Sequence, residues 1–258
     1  MQLSGNTIII TGGTSGLGLE FASRLLDLGN TVIITGRDQT KLDQIKKKHP
    51  AFHTFQSDVS DPNAIKELYE KVVRQFPALN VLINNAGEMR KINLHDLSID
   101  LNNINREVAI NLSGPIRMVQ QFLPHLKAQK KGIIINVSSG IAMVPFPLSP
   151  IYGATKAGLH SYTQSLRVQL KNTNVKVFEL LPPGSSTPLN DKFKNDEGFD
   201  PKILMPPQKI IAAAVKALQK DQYEIYPGMA NLLRIMSRLA PKFILKQTSK
   251  VGASNFQD

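Results

Sequence analysis

Cysteine is absent from this chain of 258 residues, and so is tryptophan. Without cysteine no disulfide can form, which agrees with a reducing compartment such as the cytosol. The five histidines, His49, His53, His95, His125 and His160, show no spacing that is typical of metal ligands. We therefore expect neither a disulfide framework nor a metal site.

Long apolar runs are missing as well. No stretch approaches the roughly 18 consecutive apolar residues that are needed to cross a bilayer. The N-terminus lacks the basic and apolar regions of a signal peptide and leads directly into a β-branched run. These two absences predict a cytoplasmic protein.

Acidic residues are scarce relative to basic ones. The chain has 20 Asp and Glu against 31 Lys and Arg, for a formal net charge of +11. Such an excess suits an acidic ligand, a nucleic acid or a membrane surface. The basic residues are nevertheless spread through the predicted helices, with only small clusters at 46–48 and 127–131. We interpret them mainly as a solvated surface and expect no nucleic-acid partner.

The chain does contain a regular alternation of apolar, β-branched runs with helical patterns. Strands are predicted at 7–10, 31–35, 52–56, 79–83, 132–137, 175–180 and 222–226, and helices at 17–28, 38–48, 62–75, 103–128, 153–172 and 207–219. This alternation predicts an α/β fold with a parallel sheet of about seven strands and helices on both faces. The length and the absence of a linker favour a single domain over residues 1–258.

Two segments break the alternation. Residues 183–206 are polar and rich in Pro, Gly and Asp, and a loop of this length is usually functional or mobile, so we interpret it as a lid over the substrate. Residues 228–258 carry apolar and basic residues without a strand pattern. This tail is interpreted as a C-terminal helix that closes the pocket or packs on a sister subunit, or else as a basic amphipathic segment on an anionic membrane.

The most informative motif is TGGTSGLG at 11–18, which lies between the apolar run NTIII and the helical pattern LEFASRLLDLG. Strand, glycine-rich turn and helix form the first unit of a Rossmann-type, doubly wound dinucleotide-binding fold. Gly12 allows the tight turn, Gly16 lets the backbone approach a pyrophosphate, and Gly18 lets helix and strand pack closely. The helix N-terminus then offers N–H groups to the phosphates. Because the spacing differs from GxGxxG, the motif by itself also suits a structural turn.

The end of the second predicted strand bears on the choice of cofactor. An acidic residue at this place binds the ribose 2′-hydroxyl of NAD, whereas an Arg accepts the 2′-phosphate of NADP. Asp38 has the spacing of that acid, but it also suits the N-cap of the helix QTKLDQIKKK. Arg37 would then face the phosphate, with Thr14 or Ser15 adding a hydroxyl. We therefore expect NADP(H), with NAD(H) as the alternative cofactor.

Two further strand ends point to the same kind of ligand. In SDVSD at 57–61, Asp58 could hydrogen-bond the adenine amino group, with Val59 against the ring. An Asp before PNAIKELYE also suits a helix cap, a role that the last residue of that run fills better. In the turn after the fourth predicted strand, small residues let the backbone approach a ribose: Asn85, Ala86 and Gly87.

The segment YGATK at 152–156 carries the chemistry. Tyr152 and Lys156 lie on one face of a helix. A nearby ammonium is expected to lower the pKa of the phenol, towards the operating pH that acid–base catalysis favours. Ser139, at the end of the strand INVSSG, could hydrogen-bond the same substrate oxygen. Asn111 falls inside a predicted long helix, where its propensity is poor, and could bind a water that links Lys156 to solvent.

The motifs TGGTSGLG, NNAG and YGATK, in this order and spacing, resemble those of the short-chain dehydrogenase/reductase family, from about residue 5 to 226. The resemblance implies a catalytic tetrad of Asn111, Ser139, Tyr152 and Lys156. It also implies that Lys156 binds the nicotinamide ribose and that Thr187 binds the carboxamide. The cofactor-binding residues that it implies are Gly12, Thr14, Ser15, Gly16, Leu17, Gly18, Arg37, Asp58, Val59, Asn85, Ala86 and Gly87, together with Tyr152 and Lys156.

The run LPPGSSTPL departs from the PGxxxT pattern that is frequent in this family. Alignment on Thr187 places Pro182 and Pro183 where the family has Pro-Gly. Alignment on Pro183 and Gly184 instead makes the loop one residue short. The sequence leaves both alignments open.

These features together predict an enzyme that transfers a hydride between a nicotinamide cofactor and a small-molecule carbonyl or alcohol substrate. The alternative is a non-catalytic dinucleotide sensor or scaffold on the same fold. Nearby apolar residues suggest a fairly apolar substrate: Met143, Phe146, Leu148, Leu189, Phe193 and Met229. Surplus apolar positions on two helices predict a homodimer or homotetramer: Val108, Leu112, Val119, Phe122, Leu159, Tyr162 and Leu166.

Overall fold

Parallel strands that are covered by helices on both faces are apolar along most of their length, as the strand sequences of this chain are. A computed structural model describes residues 2–256, and the side chains of all of these except residues 102, 255 and 256. The strands are β1 (Thr7–Thr11), β2 (Thr31–Gly36), β3 (His53–Gln56), β4 (Leu79–Asn84), β5 (Gly132–Val137), β6 (Val175–Leu180) and β7 (Glu224–Ile225). All pairs are parallel, in the order β3-β2-β1-β4-β5-β6-β7. This confirms the predicted α/β fold with seven parallel strands.

Helices cover both faces of the sheet. They are α1 (Gly16–Asp27), α2 (Gln39–Lys48), α3 (Pro62–Gln75), α4 (Leu101–Ile104), α5 (Arg106–Val108), α6 (Gly114–Ala128), α7 (Pro150–Gln169), α8 (Pro188–Asp191), α9 (Pro207–Gln219), α10 (Met229–Leu239) and α11 (Pro241–Thr248). Ile8 and Ile10 of β1 belong to one apolar cluster with residues of α1 and α9, such as Phe21. Ile9, between them, belongs to a second cluster with residues of α3, α6 and α7, such as Phe122. Alternate side chains of β1 therefore pack into two different apolar clusters.

The predicted continuous helix over 103–128 is wrong. The chain forms α4 and α5, a π-helical turn at Ala109–Ser113, and then α6. Pro115 has no N–H to donate to the carbonyl four residues earlier, that of Asn111, so one α-helical hydrogen bond is missing at this point, as it also is at Pro124 inside α6. The N–H of Gly114 instead donates to the carbonyl of Ala109, five residues back. The other predicted helices and strands match the observed ones within a few residues.

The polar segment 183–206 has structure of its own. It contains α8, a 3₁₀ turn at Pro201–Ile203 and a bridge between Ser185 and Met205. Phe193 within it is buried, at 1% exposed. The segment therefore packs on the body of the molecule.

The C-terminal tail is mostly helical. It contains α10, α11 and a 3₁₀ turn at Ala253–Phe256. Residues 1, 257 and 258, which belong to the predicted domain and tail, lie outside the described residues. Within 2–256, no helix has both the length and the apolar character that a bilayer crossing requires.

The strand order reverses between β1 and β4, which are adjacent in the sheet. In open parallel sheets the crevice at such a reversal, outside the carboxyl ends of the strands, is the usual position of a ligand. β1 ends at Thr11 and β4 at Asn84, so the motifs TGGTSGLG and NNAG lie side by side at this crevice.

Candidate active site

The turn between β1 and α1 is built from glycines for steric reasons. Gly12 and Gly16 have positive φ angles, 66° and 55°, which side-chain-bearing residues rarely adopt. A Cβ on Gly12 would lie 2.8 Å from the Cα of Ala86, and one on Gly18 would lie 2.2 Å from the carbonyl oxygen of Gly12. The turn therefore excludes any larger residue at Gly12 and Gly18.

The asparagines after β4 tie the strand ends together. The Asn85 amide donates to the carbonyl oxygens of Thr11 and Gly12, at 3.0 and 3.1 Å. The Thr11 hydroxyl accepts from the backbone N–H groups of Asn85 and Ala86. Asn84 donates to Asn136 on β5, which donates in turn to Thr163 on α7. This buried network fixes the position of the glycine turn relative to β4, β5 and α7.

One cavity lies over this edge of the sheet. Its walls contain every residue of the predicted site except Asn111. The turn within it has no side chain at Gly12, Gly16 and Gly18, so a ligand can approach the backbone there. Ser15, the N-cap of α1, has an extended backbone conformation. The side chain of Ser15 makes no capping hydrogen bond there, so the first-turn N–H groups of α1 remain available to an anion. This cradle fits the diphosphate of a dinucleotide.

Two carboxylates near this cavity already have partners. Asp38 caps α2 by accepting a hydrogen bond from the Lys41 N–H at 3.1 Å, as expected, and its carboxylate lies 3.8 Å from the Lys41 ammonium. Asp58 accepts from the N–H and hydroxyl of Ser60, at 2.8 and 2.7 Å. Arg37 lines the cavity from an exposed position, and within the described residues its guanidinium has no ion pair. A basic group therefore stands at the end of β2.

Tyr152, Lys156 and Ser139 meet at the other end of the cavity. All three are buried. The Lys156 ammonium donates to the carbonyl oxygen of Val137 at 2.9 Å and lies 5.7 Å from the centroid of the Tyr152 ring. The Ser139 hydroxyl is close enough to the Tyr152 hydroxyl to affect its pKa, and its oxygen accepts a hydrogen bond from the N–H of Ile141 at 3.2 Å. A hydroxyl pair therefore stands beside a buried ammonium.

The pKa of Tyr152 moves in the direction opposite to the one expected from YGATK. Burial raises this pKa to about 12, although the hydrogen bond with Ser139 acts to lower it. The expectation of a lowered pKa was wrong because loss of hydration disfavours the phenolate more than its neighbours stabilise it. Burial lowers the pKa of Lys156 to about 8, while the carboxylate of Glu179 acts to raise it. At neutral pH the pair is therefore mainly phenol and ammonium.

Asn111 lies behind the cavity wall, in the π-helical turn. Its amide oxygen accepts from the N–H of Glu88 at 2.8 Å, and its amide nitrogen donates to the Glu88 carbonyl at the same distance and to the Thr155 hydroxyl at 3.2 Å. A Cβ built on Gly87 would lie 3.4 Å from the Asn111 amide oxygen and 3.7 Å from the Lys156 ammonium. Asn111 therefore fixes the loop after β4, and its amide oxygen and the Lys156 ammonium both lie close to Gly87.

The predicted site omitted a buried carboxylate. Glu179 of β6 is fully buried, accepts a hydrogen bond from the Ser138 hydroxyl at 2.5 Å, and lies 2.8 Å from Nδ1 of His160. The hydrogen bond to Glu179 is the main cause of a raised pKa at His160. A carboxylate at the apolar end of the run VKVFELL was the signal in the sequence that could have drawn attention to this residue.

Apolar side chains surround Tyr152 on the side away from the glycine turn. Leu148 and Phe193 are buried with it, and Phe146 and Leu189 pack against this cluster. Met143 and Met229, which the sequence also suggested, are not members of the cluster. Four of the six expected apolar residues therefore gather at the reacting end of the cavity.

Thr187 lies beside the glycine turn. It is buried in the cavity wall, and its Cγ2 would lie 3.2 Å from a Cβ built on Gly16. The Gly184 carbonyl meanwhile accepts a hydrogen bond from the Met205 N–H. Thr187 is therefore next to the glycine turn, a position that both alignments of LPPGSSTPL allow.

Comparison with known proteins agrees with this geometry. A family model described as short chain dehydrogenase matches residues 6–198. The uncharacterized oxidoreductase DltE of Bacillus subtilis is 42% identical over 199 residues, which cover 77% of this chain and 79% of DltE.

Solved structures are similar over most of the chain. A short chain dehydrogenase from Burkholderia cenocepacia, in complex with NADP, has a TM-score of 0.81 and 25% identity, and the match covers 96% of this chain and 99% of that one. A 3-ketoacyl-(acyl-carrier-protein) reductase from Brucella melitensis, complexed with NADH, has a TM-score of 0.76 and 26% identity, with coverage of 86% and 93%. The chain belongs to the short-chain dehydrogenase/reductase family and is an NAD(P)-dependent oxidoreductase.

Proposed function

We propose that this protein transfers a hydride between NADP(H) and a carbonyl or alcohol carbon, with Tyr152 as general acid and base. The observation that carries the proposal is that a single cavity joins the glycine turn to the buried Tyr152, Ser139 and Lys156. The nicotinamide supplies or accepts the hydride when it is bound. The solved relatives in complex with NADP and with NADH support a nicotinamide cofactor without distinguishing the two.

Each polar residue then has a distinct task. Ser139 positions the substrate oxygen, and Tyr152 donates a proton to it during reduction or removes one during oxidation. With a pKa near 12 the phenol carries at neutral pH the proton that reduction requires. This pKa lies far above the operating pH that acid–base catalysis favours, so the proposal requires the Lys156 ammonium and the bound cofactor to stabilise the phenolate during the reaction. Lys156 holds the nicotinamide ribose and stabilises the phenolate that donation leaves behind. Asn111 is assigned to a proton relay, in which it binds a water that links Lys156 to solvent.

Arg37 is proposed to select NADP(H) by binding the 2′-phosphate through its guanidinium. The Arg37→Ala variant is expected to bind NADPH about tenfold to a hundredfold more weakly, since a charge-assisted phosphate contact contributes about 1.5–3 kcal/mol. Its affinity for NADH should change little. Titration of both cofactors by fluorescence measures this, with Arg74→Ala as a control that removes an exposed Arg from α3. Equal losses for NADPH and NADH, or no loss at all, would contradict the assignment.

Glu179 is expected to set the upper pH limit of activity, because its charge acts to keep Lys156 protonated. The Glu179→Gln variant keeps hydrogen-bonding groups for Ser138 and His160 but removes the charge. The pKa of Lys156 should fall, so turnover should decline on the alkaline side at a pH lower by about one unit. A pH–rate profile measures this shift. Glu224→Gln is the matched control. Glu224 lies on the neighbouring strand β7, but its carboxylate accepts hydrogen bonds from Arg167 and Tyr226 and is not a cause of the shifted pKa of Lys156. A profile that does not move, or that moves equally in both variants, would contradict the role of Glu179.

The substrate is proposed to be a fairly apolar carbonyl or alcohol compound. The apolar cluster around Tyr152 supports this, and the segment 183–206, whose Phe193 and Leu189 belong to that cluster, is proposed to be the lid over it. Cofactor oxidation measured against ketones, aldehydes, steroids and acyl compounds, with matched polar analogues, tests the proposal. Faster turnover of the polar analogues would contradict it.

We further propose a homodimer or homotetramer in the cytoplasm. Of the residues on which the oligomer prediction rests, Val119, Phe122, Leu159 and Leu166 are buried within the single chain. The remaining three, Val108, Leu112 and Tyr162, are only partly buried and stay available to a partner. Light scattering at micromolar concentration is expected to give the mass of a dimer or tetramer, and a monomer would refute the prediction.

A further inference from the structure

The two helices of the C-terminal tail expose large apolar side chains that the rest of the chain does not cover. On α10, Leu232, Ile235 and Leu239 recur at spacings of three and four residues, which places them on one face. They are 48%, 41% and 77% exposed. On α11, Phe243 and Leu245 are 53% and 42% exposed. We call Leu232, Ile235 and Leu239 the tail apolar face; Phe243 and Leu245, two residues apart on α11, point to different sides of that helix.

Only basic charges accompany the tail apolar face. Residues 225–257 contain five Lys and Arg and no Asp or Glu. Four of the five are exposed and form no ion pair within the part of the chain that the structure describes: Arg238, Lys242, Lys246 and Lys250. The fifth, Arg234, instead lies 4.6 Å from the ring centroid of Tyr226. The exposed surface of the tail therefore combines apolar side chains with an unbalanced positive charge.

The other side of α10 is attached firmly to the body of the protein. Ala230 is fully buried, and its Cβ would lie 3.3 Å from a Cβ built on Gly140, which follows Ser139. The contact between Arg234 and Tyr226 holds the same helix to the end of β7. The tail apolar face is thus presented by a fixed element that lies beside the active-site strand β5.

We propose that the tail apolar face and its basic residues bind the surface of an anionic lipid bilayer. Amphipathic helices with apolar and basic residues lie in the interface, where the apolar side chains enter the acyl boundary and the cations meet anionic headgroups. A second copy of the chain is a poorer occupant, because a two-fold contact on this face would bring the same basic residues together. A nucleic acid offers no partner for the exposed aliphatic side chains of this face.

The test is co-sedimentation of the full chain with vesicles of phosphatidylcholine alone or of phosphatidylcholine with phosphatidylglycerol. We expect binding to the anionic vesicles to be at least about tenfold stronger, and to fall with added salt. The variant Arg238→Gln/Lys242→Gln/Lys246→Gln should lose most of this binding. The control Lys47→Gln/Lys48→Gln/Lys130→Gln, which removes as much charge from exposed positions elsewhere, should keep it.

A second variant separates insertion from simple charge attraction. Leu232→Gln/Leu239→Gln keeps every charge and should also lose most of the binding, with an unchanged unfolding temperature that shows that the fold is intact. Absence of binding to anionic vesicles would overturn the proposal, as would equal losses in the charge variant and its control. If Leu232→Gln/Leu239→Gln instead lowered the mass measured by light scattering and left vesicle binding unchanged, the face would be a contact between copies of the chain.

Discussion

Replacement of Tyr152 by Phe is expected to lower turnover of any carbonyl substrate at least about a hundredfold, since general acid–base groups typically contribute about 10²–10⁴-fold in rate. The substitution removes only the hydroxyl, whose pKa burial raises to about 12 and which hydrogen-bonds Ser139. The ring keeps its place among Leu148 and Phe193. Affinity for NADPH should therefore change by only a few-fold, because Lys156 and the glycine turn remain.

Steady-state rates paired with cofactor titration measure this prediction. Tyr162→Phe is the matched control, since Tyr162 lies on the same helix and packs with the second apolar cluster, away from Tyr152. Ser139→Ala should resemble Tyr152→Phe in lowering turnover without affecting the cofactor. Near wild-type turnover in Tyr152→Phe would show that Tyr152 is not the general acid and base, and would favour the sensor or scaffold alternative.

Replacement of Lys156 by Ala is expected to damage both turnover and cofactor binding. Loss of the ammonium leaves the developing phenolate of Tyr152 without its cation, so turnover should fall at least about a hundredfold. Loss of a charge-assisted contact to the ribose should weaken NADPH binding about tenfold or more. This double effect distinguishes Lys156 from Tyr152, whose loss should affect turnover alone.

The same substitution leaves the buried carbonyl of Val137 without its donor, which costs about 1–3 kcal/mol of stability. Lys156→Met loses this donor too, but it keeps the apolar stem of the side chain and so avoids the additional cavity that Lys156→Ala leaves. Both variants should lose activity and cofactor affinity alike, while Lys171→Ala, at an exposed position after α7, should lose neither. Full activity in Lys156→Met, measured with the unfolding temperature of each variant, would contradict the assignment.

The sequence and the structure differ in an instructive way over residues 103–128. Apolar spacing predicted one helix there, and most of the segment is helical. The π-helical turn was missed because a single proline and the side-chain bonds of Asn111 decide it, and periodicity averages over such local features. Asn111 itself drew attention as a polar residue in a helix, and the structure shows both of its amide groups bound to the backbone of Glu88.

The pKa of Tyr152 shows a different kind of limit. The spacing of Tyr152 and Lys156 suggested an ammonium that lowers this pKa, and the structure does bring the two residues together. Spacing along a helix does not report how much water the phenol loses, and here the loss of water has the larger effect. Glu179 was missed for a related reason, since its neighbours come from β5 and α7.

The amino-acid sequence alone determined the parallel α/β architecture and the set of residues that line one cavity, because strand and helix periods are local and the motifs lie at strand ends. Tertiary structure alone decided the protonation of Tyr152 and Lys156, the place of Asn111 behind the wall, and which apolar residues of the tail stay exposed. These depend on desolvation and on contacts between residues far apart in the chain. Neither the desolvation of a side chain nor its contacts with distant residues can be read from a local pattern of residues.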